Sequence, residues 1–161
     1  MAKQKEITTN AMRILKKQKI PFRQYTYECK EFVDGITIAD QLHLPYEKVY
    51  KTLVTKGAGG EYYVFVIPIA EELDLKKAAR SVEEKSVEML PVKEINSVTG
   101  YVRGGCTAIG MKKSYVTRIE EAAKAQPNII VSGGRLGSQI ELAPQDLARA
   151  AGAEFADLIR T

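Results

Sequence analysis

Lys51 sits in the middle of Val49-Tyr50-Lys51-Thr52-Leu53, a run with strand propensity and apolar residues on both faces. By strand alternation it shares a face with Val49 and Leu53. An ammonium in such surroundings must reach water, pair with an anion or shift its pKa. It either snorkels to a sheet edge or projects into a pocket, where it can hold a phosphate or an oxyanion. Two glycine clusters are the next candidates, GYVRGGCTAIG at 100–110 and SGGRLG at 132–137. Each reads as a pair of tight turns, or as backbone that comes close to a ligand and points N–H groups at a carbonyl or phosphate. Two clusters in one short chain raise the case for a backbone-lined pocket. Neither is a phosphate loop of a known kind. Met111 stands where a P-loop needs Lys, with Lys113-Ser114 displaced, and SGGRLG leads into a strand pattern where a dinucleotide fingerprint needs a helix. Cys106, inside the first cluster, is either a small packed hydrophobe or an exposed nucleophile. Its only histidine partner would be His43, and no Asp or Asn can be assigned to complete a triad. Cys29, just past a strand, carries no such signal.

The elements that must position these residues follow from pattern. Residues 8–18 read as a helix capped by Thr8 or Thr9, with Ala11, Ile14 and Leu15 on one face and Pro21 beyond its end. Residues 22–27 alternate as a strand, and 37–43 form a short helix. Residues 49–56 and 62–69 are strands joined by the glycine turn 57–60, most simply an antiparallel hairpin. Asp74 caps a helix over 75–80. A short strand at 87–89 and a helical piece from Pro91 to about Ser97 follow. The stretch after it reads as irregular up to the buried strand 128–131. Residues 138–142 are a further strand, and Pro144 opens a helix that Gly152 stops. Helices and strands are mixed without βαβ alternation, which predicts an α+β fold over a doubly wound one.

The chain has 161 residues, of which 45% are hydrophobic and 27% charged. These values fit one globular domain spanning 1–161, able to bury roughly two-thirds of its extended surface without a disulfide or metal. A single His excludes a multi-histidine metal centre, and no cofactor is implied. The N-terminus lacks the apolar segment of a signal peptide, and no apolar run reaches membrane-spanning length. With two distant cysteines, this points to a cytoplasmic protein. Net charge is +4, but the excess is local. Residues 1–30 hold eight basic residues, Lys3, Lys5, Arg13, Lys16, Lys17, Lys19, Arg23 and Lys30, against Glu6 and Glu28. This is either a solvated helix face or a patch that attracts polyanions.

Several segments together carry a resemblance: Val49-Tyr50-Lys51-Thr52-Leu53, Glu72-Leu73-Asp74-Leu75-Lys76-Lys77-Ala78-Ala79, Thr99-Gly100-Tyr101, Gly104-Gly105-Cys106-Thr107-Ala108-Ile109-Gly110, Val131-Ser132-Gly133-Gly134 and Ile140-Glu141-Leu142. In this order and spacing they resemble the YbaK/EbsC family of aminoacyl-tRNA deacylases, related to the editing domain of bacterial prolyl-tRNA synthetases. The likeness runs over about residues 10–160, and the EbsC-like subgroup is nearer in sequence.

The resemblance implies an α+β fold with a mixed, barrel-like sheet flanked by helices. It implies trans-editing, the removal of a wrongly attached amino acid, usually cysteine, from mischarged tRNA(Pro), with prolyl-tRNA synthetase as a second candidate partner and no membrane or metal. Lys51 matches the family's key lysine. Gly105-Cys106-Thr107-Ala108-Ile109 matches its Gly-x-x-Pro-Leu loop, Tyr27 its pocket tyrosine, and Ser132-Gly133-Gly134 its second pocket wall. Ala108 replaces the loop proline, which frees φ, and Gln139 stands where some members carry an acid. An aminoacyl ester is already activated, so loop N–H groups around Gly105 could polarise its carbonyl while Lys51 holds the terminal adenosine. The resemblance further implies that the substrate's own thiol attacks the carbonyl. Two other readings stay open: a non-catalytic module that binds charged tRNA or a synthetase, and a thiol hydrolase built on Cys106.

Overall fold

The structure, a computed structural model, describes residues 8–161; Lys3, Lys5 and Glu6 lie outside them. Helix α1 (Asn10–Lys17) starts where the Thr9 hydroxyl accepts the Met12 N–H, and it buries Ala11, Met12 and Leu15. After strand β1 (Arg23–Thr26), helix α2 (Gly35–Gln41) begins two residues before the pattern predicts. The cause is Asp34, whose side chain accepts the Thr37 N–H at 2.8 Å. His43, at φ 55°, lies beyond the end of this helix.

Strands β2 (Tyr50–Gly57) and β3 (Tyr62–Pro68) form the expected antiparallel hairpin, with Lys51 opposite Ile67. Asp74 caps α3 (Leu75–Ser81) through the N–H groups of Lys76 and Lys77. Strand β4 (Val87–Met89) pairs with the far end of β2, and α4 (Ile95–Thr99) stops at Gly100, φ 84°. Strand β5 (Val116–Glu120) lies in the stretch that reads as irregular. It buries Thr117, Ile119 and Glu120 and is held by parallel pairing to β3, more than fifty residues earlier in the chain. Strands β6 (Ile129–Ser132) and β7 (Ser138–Leu142) form a second hairpin around SGGRLG. Helix α5 (Pro144–Ala151) and the short strand β8 (Glu154–Ala156) complete the described chain.

The strands make two sheets. One has five strands in the order β4-β2-β3-β5-β8, mixed in direction; the other has three antiparallel strands, β1-β7-β6. A parallel bridge between Val49 and Ile130 joins them at the entry to β2, so the sheets curve round a shared interior. The main core fills that interior with Val64 and Val66 of β3, Ile119 of β5, Ile129 and Val131 of β6, Ile140 and Leu142 of β7, Leu15 of α1 and Leu147 of α5. The alternate residues of β3, Tyr63, Phe65 and Ile67, pack on the other face with Ala78 and Ala79 of α3. This is the α+β arrangement expected, a mixed sheet wrapped by helices. Among the described residues, no helix is long and apolar enough to cross a membrane.

Candidate functional site

A cavity of about 430 Å³ opens beside the seam between the sheets. Its walls come from the segment leading into α2, from Val49 and β2 as far as Val54, from an apolar strap that includes Met89, Leu90, Val92 and Ile95, and from Arg103, Gly104 and Cys106 of the first glycine cluster; Ser132 and Gln139 reach it from the second sheet. The lining is mostly apolar with a few convergent polar groups, the usual composition of a small-ligand site.

Lys51 is one of those groups. Its Nζ donates to the Ile69 carbonyl at 3.4 Å, which leaves two of the three ammonium hydrogens for a ligand. Burial pulls its pKa below that of a free lysine, against the opposing pull of Glu72 and Glu71. Among the described residues it makes no ion pair. The sequence left two outcomes for this side chain, and the structure shows it half-buried on the cavity wall.

The two glycine clusters pack against each other, and this fixes the loop that carries Cys106. A Cβ on Gly105 would lie 2.8 Å from the Arg135 Cα and 3.0 Å from the Leu136 N–H nitrogen, so only glycine allows this backbone approach. The Gly105 N–H itself donates to the Val102 carbonyl at 2.9 Å. Among the described residues, the Cys106 N–H donates to no backbone carbonyl. Thr107, Ala108 and Ile109 are buried, and the last two belong to the main core. They anchor the loop from behind. Tyr101 adds to this by donating its hydroxyl to the Ile109 carbonyl at 2.6 Å.

Cys106 lines the cavity, but burial pushes its thiol up to about 11. At neutral pH it is protonated and a poor nucleophile. His43 is exposed and is not among the residues lining the cavity.

On the second sheet, Ser132 lines the cavity and its Oγ accepts the Gly134 N–H at 3.2 Å. Gly133 donates to the Ser138 carbonyl at 2.9 Å and accepts from the Thr9 hydroxyl, so its polar groups are spent on the fold. Gly134 packs against Thr9 and Tyr101. Gln139 is buried, lines the cavity and donates its Nε2 to the Tyr27 hydroxyl at 3.3 Å. Tyr27 is thus one hydrogen bond behind the wall.

Of the residues singled out in the sequence, Lys51, Cys106, Ser132 and Gln139 meet at one cavity. Gly105 and Tyr27 stand next to it, Gly133 and Gly134 support it, and Thr107, Ala108 and Ile109 face the core. Sequence reasoning missed Phe32, Asp34, Thr52 and Arg103 on the wall. The Arg103 guanidinium lies 3.8 Å over the Phe32 ring, a contact joining positions seventy residues apart that no local pattern announces. Asp34 is the only carboxylate among the lining residues; the signal for it was its place before a short helix.

Comparison with known proteins gives consistent findings. A family model described as the aminoacyl-tRNA editing domain matches residues 34–150. A protein of Enterococcus faecalis that bears the provisional name Cys-tRNA(Pro)/Cys-tRNA(Cys) deacylase EbsC is 42% identical over 160 residues, 98% of each chain. Two crystal structures share the fold. A hypothetical protein superposes with a TM-score of 0.84 at 22% identity, covering 92% of this chain and 97% of its own. A protein provisionally described as a trans-editing enzyme for prolyl tRNA synthetase superposes at 0.78 and 21% identity, covering 96% and 100%.

Proposed function

This chain belongs to the YbaK/EbsC family of aminoacyl-tRNA editing proteins, and we propose that it acts in trans to remove cysteine from mischarged tRNA(Pro). The observation that carries the reading is Lys51, a half-buried ammonium without an ion-pair partner among the described residues, facing a mostly apolar cavity that can admit an aminoacyl ester. In this reading its free hydrogens hold the phosphate or hydroxyl of the terminal adenosine and fix the ester against the Cys106 loop. The Cys106 N–H is then the donor that polarises the ester carbonyl; Gly105 serves as the residue that lets the loop sit there, since its own N–H would have to leave Val102 to take part.

The cavity offers no thiolate of its own, because Cys106 is held protonated. That supports the substrate as nucleophile. The cysteinyl sulfur bonds to the ester carbon, the bond from that carbon to the tRNA oxygen breaks, and the thiol proton ends on the released tRNA hydroxyl. Amino-acid choice then rests partly on substrate chemistry, which suits a task in which binding alone discriminates small side chains poorly.

Single-turnover assays with Cys-tRNA(Pro), Pro-tRNA(Pro) and Ala-tRNA(Pro) test the reading. Fast loss of the cysteinyl ester alone is expected, with a cyclic thioester trapped before free cysteine accumulates. Protection of the ester by stoichiometric protein would instead identify a non-catalytic binding module.

A further inference from the structure

We infer that the glycine-loop side of the molecule, together with α1, is the docking face for the double-helical stem of the RNA substrate. The inference rests on the editing function proposed above but concerns a surface outside the cavity. Three segments meet there: 8–20, 99–115 and 132–138. They contain Arg13, Lys16, Lys17, Lys19, Arg103, Lys112, Lys113 and Arg135 and not one Asp or Glu. All eight cations are exposed. The ion pairs among the described residues, made by Lys48, Lys77, Arg118 and Arg160, involve none of them.

Packing shows that the segments are one surface. A Cβ on Gly110 would strike Ile14 and Asn10 of α1, and one on Gly134 would touch Thr9 and Tyr101. Asn10 and Lys112 share the wall of a polar groove, and Arg13 and Lys17 follow Asn10 along the same stripe of the helix. The other side of these loops is the cavity wall at Gly104, Cys106 and Ser132. A single-stranded end in the cavity therefore leads out past Arg103 onto segments that hold no carboxylate of their own and whose cations make no ion pair among the described residues. Charge of one sign, spread over a convex helix and loops without a stacked aromatic row, suits a duplex phosphate backbone.

The test is a variant with Arg13, Lys17, Lys112 and Lys113 all changed to Ala, beside a control with Lys76, Arg80 and Lys85 changed to Ala. Substrates are full-length Cys-tRNA(Pro) and the cysteinyl ester of the trinucleotide CCA. The expected result is a kcat/KM on tRNA reduced at least tenfold, an unchanged rate on CCA ester, and a salt dependence of tRNA binding shallower by about three to four in log–log slope. The control should behave as wild type on both substrates. Unchanged tRNA kinetics and slope would overturn the surface while leaving the editing reading standing, and so would equal losses on both substrates. If wild type clears neither ester, the editing reading falls, and binding of uncharged tRNA across a salt series still decides the surface. Binding of anionic lipid vesicles that the variant loses while tRNA binding persists would also overturn it, in favour of a membrane contact.

Discussion

Lys48 and Lys51 are three residues apart and meet opposite fates. Lys48 donates to Glu141 Oε2 at 2.8 Å, and Tyr25 donates to Glu141 Oε1 at 2.7 Å, which ties the start of β2 to the β1–β7 sheet. The side chains of this pair are 27% and 12% exposed, and the carboxylate has both oxygens satisfied. Lys51 has a carbonyl at 3.4 Å and a cavity. A partly buried charge with good partners holds sheets together; one without them costs stability and is available to a ligand. The contrast separates a fastening from a candidate site on one short stretch of chain.

The largest effect should come from removing the available charge. Lys51→Ala is expected to leave the circular dichroism spectrum unchanged and to slow single-turnover deacylation about 30- to 1000-fold, roughly 2–4 kcal/mol of lost transition-state stabilisation. Lys51→Arg should rescue poorly, since a planar fork does not replace a compact ammonium. Lys51→Met should melt no lower than wild type at neutral pH. The sign follows from the lowered pKa: the folded state disfavours the charged form, so wild type gains stability as pH rises through the lowered pKa toward 10.5, and the Met variant lacks that gain. A near-wild-type rate for the Ala variant, or a clear drop in melting temperature for the Met variant, would erase the distinction between the two lysines.

Breaking the fastening should do the reverse. Glu141→Gln weakens two charge-assisted hydrogen bonds and is expected to cost about 1–2 kcal/mol in denaturant melts, with the deacylation rate of the folded protein unchanged. Burial alone would raise the Glu141 pKa, but the hydrogen bonds from Lys48 and Tyr25 outweigh it and hold the carboxyl below its usual value. Its stabilisation is therefore present above the unfolded carboxylate pKa and is lost as pH falls through the lower folded one. The Gln variant should show a shallower loss of stability in that acid window. An identical acid limb in both proteins would show that the pair fastens nothing.

The smallest effect is expected at Cys106. Changing it to Ala should keep deacylation within about twofold, because a thiol at about 11 supplies no nucleophile. Iodoacetamide at pH 7.5 should label Cys29 ahead of Cys106. Loss of turnover with the fold retained would transfer the chemistry to a protein thiol.

Lys51 was legible in the sequence because a charge inside an apolar strand conflicts with its surroundings. The β2–β3 hairpin was legible because alternation and a glycine turn are local. Strand β5 was not, since Thr117 and Arg118 blunt its apolar pattern and its partner β3 lies far back in the chain. The glycine clusters pointed to the right region without showing which face they present. Only the packing of Gly105 on Arg135 reveals that Thr107, Ala108 and Ile109 point inward and leave Cys106 on the wall. The apolar strap around Met89 and Val92 was unreadable as a wall, because residues of that type usually mark a core.

The Thr9 hydroxyl on the Gly133 carbonyl closes the back of the site across 124 positions of sequence. A ribosome that has made the β2–β3 hairpin has made the lysine but not its enclosure. The second glycine turn, Ser132 and Gln139 must leave the exit tunnel before the cavity exists, so during synthesis Lys51 spends its early life as an ordinary solvated side chain. Its depressed basicity is acquired late, with the long-range contacts that are slowest to form.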